Sequence, residues 1–438
     1  MILVIFSTLA LLYAGIVFWQ KRTFRFLSFL ISPIIILSIK KRISKNLEDK
    51  NRYTERYGIP SIARPSGNLI WIHAVSVGET ISIIPFIEEF KKVNKDATIL
   101  LTTTTLTAYN IINERLNGKV IHQFMPFDVF RWIRRFVKYW KPNAVFFVES
   151  ELWPNMLYYL NEQDIPIYLL NARFSEGALK RMYTAKKIFN ILPYKLFTSV
   201  FVPSEKAKIH VRELGARDIK IIPNLKIIAE KLPVDAEKSK QLSTMLNSRK
   251  TWMAVSTHKG EEEIIVDVHQ KLKEIFPDIL TVIAIRHPSR AEEIKSICES
   301  NGLSVATHTE KFENGTTISE DIYILNKIGE LGEFFENIDT VLVGGSLIPG
   351  IGGHNFLEPI KFMCNVASGQ YIGNFRDIYD YVSNYCKIVE NKNELLEFIE
   401  KSIKSYKRDS AMLNDIDYTT NWINAISQIS KNIFKKRT

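Results

Sequence analysis

A glycine-rich segment combines bare backbone with polar groups that could bind an anionic ligand. Five glycines lie between Gly344 and Gly353, directly after an apolar run, residues 340–343, that predicts a buried strand. Glycine backbone adopts positive φ and lets a ligand approach its N–H groups. Asn355 and Glu358 follow at a predicted helix start and could bind phosphate or ribose. The segment predicts an anion and ribose site at the carboxyl edge of a sheet; a ligand-free surface loop is the alternative.

Glu79 follows a predicted strand and stands at the start of a predicted helix. Gly78 before it permits a sharp turn, which would place the carboxylate above the strand ends, where ligands bind in open α/β sheets. Such a carboxylate could accept a proton from an attacking hydroxyl group. Alternatively, the carboxylate could simply interact favourably with the helix dipole, which is worth about 0.5 kcal/mol. The spacing alone does not favour one interpretation over the other. His73 is the competing base.

Charged side chains also follow the later strands of this half. Glu149 and Glu151 end a buried run, and we expect one of them to face the ligand and the other to cap the next helix. Arg173 could hold a phosphate or carboxylate through its planar guanidinium, or form a surface salt bridge. Lys226 could balance the charge of a departing phosphate, or be an exposed linker lysine.

Two strand ends in the second half of the chain carry residue types that suit phosphate. Ser256 and Thr257 lie between a predicted strand and a helix, where small hydroxyls can hydrogen-bond an anion. Arg286 follows the next strand, and we predict that it binds a phosphate or a carboxylate. His258 and His287 lack the carboxylate–histidine spacing of a metal site, so we predict no metal.

Alternating strands and helices are needed to bring these side chains together. Short β-rich runs alternate with helical stretches such as 79–92 and 129–140, which predicts parallel sheets with crossover helices. A Lys/Pro/Asp-rich break at residues 230–237 separates two such series. The predicted strands are 69–73, 98–101, 119–123, 144–148, 165–170 and 199–202, then 251–255, 279–285, 303–306, 323–325, 340–343 and 365–367.

The first 44 residues predict a membrane attachment. Residues 1–18 carry no charge and are about long enough to cross a hydrocarbon core; residues 24–39 form a shorter apolar run that contains Pro33. Basic residues crowd the segment after residue 39, which predicts that the rest of the chain lies in the cytoplasm. We predict one spanning anchor and one interfacial helix, with a two-span hairpin as the alternative.

Composition and charge narrow the class of protein. With 438 residues, 46% of them hydrophobic, the chain fits two globular domains rather than a disordered segment. Three scattered cysteines exclude a disulfide framework and indicate a reducing setting. A net charge of +11 without a nucleic-acid-binding motif favours anionic lipid or an anionic substrate as partner. One basic helix face, either solvated or in contact with lipid headgroups, consists of Arg131, Arg134, Arg135 and Lys138.

The motifs that carry these residues resemble, in the same order, those of the 3-deoxy-D-manno-octulosonic acid (Kdo) transferases. The first half matches with H-A-V-S-V-G-E at 73–79, E-S-E-L-W-P at 149–154 and N-A-R-F-S at 171–175. The second half matches with S-T-H-K-G-E-E at 256–262, R-H-P at 286–288 and G-G-S-L-I-P-G-I-G-G-H-N-F-L-E-P at 344–359. The sequence departs from the family at Pro223 and Ile227, on either side of Lys226, and at residues 364–369.

The resemblance implies a GT-B fold, in which two Rossmann-like domains face a central cleft, here preceded by a membrane-anchoring helical segment. It implies transfer of Kdo from CMP-Kdo to lipid A or its tetra-acylated precursor, without metal or other cofactor and without nucleic acid. The enzyme would act at the cytoplasmic face of the inner membrane, in contact with its lipids. We expect the anchor at 1–44, an acceptor-binding domain at 45–230, and a CMP-Kdo-binding domain with C-terminal helices at 231–438.

Residues and resemblance together assign the site. Catalysis is expected of Glu79 as base, Glu149, Glu151 and Lys226. Acceptor binding is expected of Ser76, Gly78 and Arg173. Donor binding is expected of Ser256, Thr257, Arg286, His287, Pro288, Gly345, Ser346, Gly352, Gly353, His354, Asn355 and Glu358. The alternatives are another GT-B enzyme, such as a lipid-linked hexosaminyltransferase or a nucleotide-sugar epimerase, or a non-catalytic nucleotide-sugar-binding membrane protein.

Overall fold

The computed structural model describes residues 21–116, 118–149, 151–174, 176–189, 191–228, 231–312, 315–415 and 419–435. The chain forms two compact units, one of residues 1–229 together with 418–438 and one of residues 230–417. Each unit is built on one parallel sheet covered by helices. The prediction of two α/β domains with parallel sheets is therefore confirmed.

The first unit is built on the strands β1 Leu69–His73, β2 Thr98–Thr103, β3 Ile121–Phe124, β4 Ala144–Val148, β5 Ile167–Leu170, β6 Ser199–Val202 and β7 Ile219–Ile221. They pair in parallel in the order β3-β2-β1-β4-β5-β6-β7. Every residue of β1 and β4 is buried, as expected of apolar strands that helices cover on both faces.

Seven helices precede or follow these strands: α1 Lys21–Ser44, α2 Val77–Val93, α3 Leu106–Arg115, α4 Phe130–Trp140, α5 Pro154–Glu162, α6 Glu176–Phe189 and α7 Glu205–Glu213. Ser76, Thr105 and Ser204 cap α2, α3 and α7 because each hydroxyl accepts a backbone N–H of the first turn. These caps fix where each helix begins after its strand. Phe86 of α2 packs on Phe146 on one face of the sheet, and Phe136 of α4 packs on Trp71 on the other.

The second unit is built on the strands β8 Thr251–Thr257, β9 Leu280–Ile285, β10 Val305–Thr307, β11 Ile322–Leu325, β12 Thr340–Val343, β13 Asn365–Gly369 and β14 Cys386–Val389. They pair in parallel in the order β10-β11-β9-β8-β12-β13-β14. Its helices are α8 Ala236–Leu246, α9 Glu262–Ile275, α10 Ala291–Ser300, α11 His308–Lys311, α12 Leu331–Asn337, α13 Leu357–Ile360, α14 Arg376–Val382, α15 Lys392–Ser405 and α16 Ala411–Asp415.

The last helix, α17 Thr419–Lys435, belongs to the first unit, so the expected boundary of 231–438 for the second domain is wrong at its C-terminal end. Trp422 is buried against Phe86 and Phe201, and its indole N–H donates to the Pro223 carbonyl at 3.0 Å. The apolar face of α17 thus completes the core beside α2, which no local sequence pattern indicates.

Helix α1 packs along the first unit through one face and exposes the other. Ser28 Oγ accepts the Phe130 N–H at 3.3 Å, and Phe24 and Ile39 are buried. Among the described residues, α1 is long and apolar enough to cross a membrane, by length and composition alone. Its exposed face is an apolar stripe of Phe26, Phe29, Leu30, Ile34 and Leu37, each more than half exposed. The predicted span at 1–18 lies outside the described residues.

Candidate active site

Three carboxyl groups meet at the carboxyl ends of β1 and β4. The strand order of the first sheet reverses between these two strands, so the loops that leave them diverge and open a crevice. The loop after β1 leads to Glu79, and the loop after β4 carries Glu149 and Glu151. Burial raises the pKa values of Glu79 and Glu151, and nearby like charges add to both shifts, that of Glu149 for Glu79 and that of Glu79 for Glu151. The topology therefore assembles three of the four predicted catalytic residues.

Glu79 is both a helix cap and a candidate base. Its carboxylate accepts the Val75 N–H at 2.8 Å and the Ser76 hydroxyl at 3.0 Å, and Ser76 Oγ accepts the Glu79 N–H at 3.3 Å, a variant of the capping box in which the carboxylate accepts the N–H of the residue before the cap. Burial, and secondarily the charge of Glu149, raise the pKa of Glu79 to about 7 against these hydrogen bonds. Glu79 can therefore exchange a proton near neutral pH while it fixes the start of α2.

Gly78 does not make the sharp turn that its sequence position suggested. It lies in the first turn of α2, and a Cβ added there would meet nothing closer than the Ser76 hydroxyl, at 4.0 Å. The glycine instead leaves open space in front of this helix start.

Glu149 holds two predicted cations together. Its Oε1 lies 3.6 Å from Lys226 Nζ and 3.9 Å from Arg173 Nη1. Its backbone adopts a φ of +61°, which costs a residue other than glycine about 1–2 kcal/mol. Such strain at a strand end is typical of ligand-binding and catalytic sites.

Glu151 holds its proton more tightly than Glu79 does. Burial, then the charge of Glu79, raise its pKa to about 8, although the Trp153 indole N–H donates to it. The expectation that one of the two acids caps the next helix is wrong. Asp128 accepts the first amides of α5, those of Asn155 at 3.0 Å and Met156 at 2.9 Å.

His73, the competing base, is poorly placed for that role. Its side chain is fully buried, and Nδ1 contacts the Thr102 hydroxyl at 2.9 Å. Burial lowers the pKa of His73 to about 3, so the ring is a weak base.

Asn171, which the sequence-based assignment left out, is a candidate for ligand contact. It is buried with a φ of +56°, and neither amide atom has a partner among the described residues. Since buried amides are nearly always paired, Asn171 is suited to hold a water molecule or a polar ligand group.

The second sheet also opens a crevice at its carboxyl edge, because its strand order reverses between β8 and β12, as that of the first sheet does between β1 and β4. At the end of β8, Ser256 adopts a φ of +57°, and the register with β9 shifts between Val255 and Thr257, which makes a β-bulge. The carboxyl ends of β8, β9 and β12 carry most of the predicted donor-binding residues.

The glycine segment after β12 does not offer its first amides to a ligand. Glu261 is fully buried, and its Oε2 accepts the Gly345 N–H at 2.7 Å while Oε1 accepts those of Ser346 and Leu347 at 2.9 Å. Oε2 also accepts the His258 N–H at 3.0 Å. The predicted anion site at Gly345 and Ser346 is therefore filled by a carboxylate of the chain itself.

Two predicted donor-binding hydroxyls are inaccessible. Thr257 and Ser346 are both 0% exposed. Ser346 Oγ donates to the Val343 carbonyl at 2.6 Å and accepts the Gly369 N–H at 2.8 Å, so it ties the ends of β12 and β13 together. These two assignments to the donor site are wrong in this structure.

Three glycines of the segment allow close packing. Gly345, Gly352 and Gly353 all have positive φ, and a Cβ at Gly345 would overlap the His354 ring at 2.6 Å, as one at Gly352 would overlap Asn374. The predicted helix start at Asn355 is a single turn, α13, where the Asn355 amide donates to Glu358 Oε1 at 3.0 Å. Asn355 and Glu358 are both half-buried.

A histidine cluster stands at the same edge of the sheet. His258 Nε2 lies 2.8 Å from His354 Nε2, and their rings are nearly parallel, 7° apart. The His287 ring centroid lies 5.7 Å from that of His258. Arg286 and His287 are exposed after β9, and Pro288 is half-buried. In the described part of the chain, no group of three or more His, Cys, Asp or Glu residues is arranged to hold a metal ion.

Comparisons with known proteins agree with this architecture. A sequence model of the family described as 3-deoxy-D-manno-octulosonic-acid transferase (kdotransferase) matches residues 51–229. The chain is 38% identical over 361 residues to a probable mitochondrial 3-deoxy-D-manno-octulosonic acid transferase of Arabidopsis thaliana, covering 81% of this chain and 80% of that protein. It is 35% identical over 338 residues to a 3-deoxy-D-manno-octulosonic acid transferase of Rickettsia felis, covering 76% and 71%.

Among solved structures, the UDP-GlcNAc 2-epimerase of Neisseria meningitidis bound to UDP-GlcNAc is similar, with a TM-score of 0.57 at 13% identity. The match covers 85% of this chain and 100% of that one, and it concerns the fold alone.

Proposed function

The chain belongs to the family of 3-deoxy-D-manno-octulosonic acid (Kdo) transferases, and from this premise we propose how its residues perform the transfer. It is a glycosyltransferase that transfers Kdo in lipopolysaccharide biosynthesis. The donor in this proposal is CMP-Kdo, and the acceptor is a lipid A precursor. The observation that carries the proposal is the group of three carboxyls at the ends of β1 and β4, in which the raised pKa of Glu79 suits the activation of a sugar hydroxyl.

Glu79 is the general base of this mechanism. The pKa of a sugar hydroxyl lies far above 7, so a base must accept its proton as it attacks. With a pKa raised to about 7, Glu79 is partly ionised at neutral pH and more basic than an ordinary carboxylate. Glu151, whose pKa is raised to about 8, keeps its proton at that pH and so limits the negative charge around the base.

Glu149 positions the cations of the acceptor unit. Because it lies within 4 Å of both Arg173 and Lys226, it fixes two positive groups beside the carboxyl cluster. Those cations attract the acidic groups of the acceptor, and Ser76 and Gly78 leave an open helix start for it.

The second unit binds CMP-Kdo in this proposal. Arg286 and His287 stand exposed at the end of β9, where a planar guanidinium suits the phosphate or the Kdo carboxylate. Glu358 is the candidate acceptor of hydrogen bonds from the ribose hydroxyls. Ser256, His354, Asn355 and the positive-φ backbone of Gly352 and Gly353 complete the proposed donor-binding set.

Attachment to the membrane is proposed through the apolar stripe of α1. The helix packs on α4 and α5, where Arg25 lies 3.9 Å above the Phe130 ring and 2.5 Å from Glu162. The adjoining α4 exposes Arg131, Arg134, Arg135 and Lys138, while its aromatic face is buried. Apolar and basic surfaces side by side suit the interface of an anionic membrane, and we place the site at the cytoplasmic face of the inner membrane.

The direct test of the reaction is a transfer assay. We expect membranes that contain the protein to convert CMP-Kdo and a tetra-acylated lipid A precursor into a heavier lipid, whose mass gives the number of Kdo residues added. A lipid of unchanged mass, in an assay where an established Kdo transferase modifies it, would contradict the proposal.

Donor binding is tested by two variants in the second unit. Arg286→Ala and Glu358→Ala should each weaken CMP binding by about 1.5–3 kcal/mol, as the loss of hydrogen bonds to charged groups does. Calorimetry measures the affinity, and circular dichroism shows that the variants remain folded. Glu263→Gln, an exposed carboxyl on α9, is the matched control. Unchanged CMP affinity in both variants would remove the nucleotide from this part of the second unit.

A further inference from the structure

His258 and His354 form a direct contact between their two imidazole rings. A distance of 2.8 Å between the two Nε2 atoms requires a proton between them, so one ring donates and the other accepts. Both rings are half-buried and lie on the loops that follow β8 and β12, the two strands at which the sheet order reverses. The ring that donates through Nε2 has an unprotonated Nδ1, and a further proton on this atom would turn the pair into an imidazolium hydrogen-bonded to an imidazole.

The surroundings keep this pair neutral without a ligand. The charged and titratable groups that face it are Arg286, His287, Arg290 and Glu261. Burial, then His258, Arg286 and His287, lower the pKa of His354 to about 4, and burial also lowers that of His258, although Glu261 opposes the shift. The Glu261 carboxylate accepts four backbone N–H groups, so it fixes the two loops and does not hydrogen-bond the imidazole rings of the pair.

We propose that the His258–His354 pair takes up one proton when the phosphate of the nucleotide binds, and thereby presents a cation to that phosphate. This inference rests on the assignment of CMP-Kdo to the second unit. An anion that binds beside the pair reverses its electrostatic environment, because a negative charge within a few ångströms stabilises imidazolium. Arg286 and His287, exposed on the neighbouring loop, bring the anion to the same edge.

The proton has a use in the transfer step. When the bond between the anomeric carbon of Kdo and the phosphate oxygen breaks, its electron pair stays on that oxygen, and the phosphate changes from one negative charge to two. An imidazolium donates a hydrogen bond to this oxygen and offsets the new charge. The proton of the acceptor hydroxyl goes to the base, so protons and electrons balance.

Calorimetry of CMP binding at pH 6.5, in two buffers with different enthalpies of ionisation, measures the protons taken up. CMP releases part of a proton from its own phosphate, whose second pKa is about 6, so the informative quantity is the difference between proteins. We expect the native protein to take up about one proton more than His258→Gln, so that around pH 6.5 its CMP affinity falls by up to about tenfold more per pH unit than that of the variant. His210→Gln, in the first unit, is the control and should match the native protein.

The outcomes distinguish a failure of the proton-uptake inference from a failure of the proposed donor site. Equal proton uptake by the native protein and His258→Gln, with CMP bound by both, overturns the inference and leaves the donor site standing. Absence of CMP binding by the native protein overturns both. His354→Gln should show the same loss of uptake, which keeps the test decisive if His258→Gln does not fold.

Discussion

At the scale of single residues, Glu79 and Glu151 hold their protons more tightly in the folded protein than in an unfolded chain. Burial is the first cause for both carboxyls, and it raises their pKa values to about 7 and about 8. A raised carboxyl pKa stabilises the fold at low pH, and this contribution is lost as the pH rises through the folded value. The candidate active site therefore makes the first unit less stable as it becomes ionised.

This linkage predicts the behaviour of Glu151→Gln. The native protein should lose thermal stability between pH 6 and pH 8.5, and the variant should lose less, because glutamine keeps an acceptor for Trp153 and cannot ionise. Thermal unfolding at both pH values measures the difference. Glu114→Gln, an exposed carboxyl on α3, should behave like the native protein. If Glu151→Gln shows the native pH dependence, Glu151 is already ionised below pH 6.

The sequence identified most side chains of the site but not what they contact. Motif positions placed Glu79, Glu149 and Arg286 at strand ends, where the structure has them. The same reasoning gave the amides of Gly345 and Ser346 to a ligand, whereas Glu261 occupies them from a loop more than 80 residues earlier. Burial of a hydroxyl or a carboxylate depends on such distant contacts, and the local pattern does not contain them.

At the scale of elements, apolar β-rich runs were sufficient to predict twelve strands near their observed positions. The strands β7 and β14 were missed because Ile219–Ile221 and Cys386–Val389 are short edge strands, interrupted by lysine and only partly buried. The helix cap by Asp128 was also missed, since its partner amides lie beyond an intervening strand. Hydrophobic periodicity identifies elements that are buried in the core. Edge strands and helix caps give a weaker signal because fewer of their side chains are buried.

A glycine at the end of β13 illustrates how tightly the elements around the donor site pack. A Cβ at Gly369 would lie 2.1 Å from the Ser346 carbonyl oxygen, which is backbone and cannot rotate away. We expect Gly369→Ala to destabilise the second unit by about 1–3 kcal/mol, as overpacking does. Urea unfolding measures the loss. Gly373→Ala is the matched control, because no atom lies within 4 Å of its added Cβ. Equal stability of the two variants would show that β12 and β13 separate easily.

At the scale of the whole molecule, the net charge of +11 and the exposed apolar stripe of α1 both favour binding to an anionic membrane surface. Large exposed apolar residues in a row are uncommon on soluble proteins, and they mark interaction surfaces. The sequence predicted the apolar run of α1. It did not predict that one face of the helix packs on α4 and α5, nor that α17 returns to the first unit, because both depend on tertiary contacts.

Membrane attachment through α1 is tested by charge. In a chain without residues 1–20, Phe29→Glu, Ile34→Glu and Leu37→Glu together should abolish co-sedimentation with vesicles that contain anionic lipid, because carboxylates do not bury among acyl chains and are repelled by anionic headgroups. The control adds the same three charges at exposed positions of the second unit, as Ser300→Glu, Asn301→Glu and Asn393→Glu. Retention of the α1 variant on vesicles, with the control also bound, would assign the contact to another surface.

The central claim is that Glu79 is the base in Kdo transfer, and the single-turnover rate of Glu79→Gln tests it most directly. Glutamine keeps the size of the side chain and can still complete the capping box with Ser76, but it cannot accept the proton. We expect normal CMP affinity and a transfer rate lower by about 10²–10⁴-fold, the usual contribution of general-base catalysis. A Glu79→Gln enzyme that transfers Kdo within a few-fold of the native rate would contradict it.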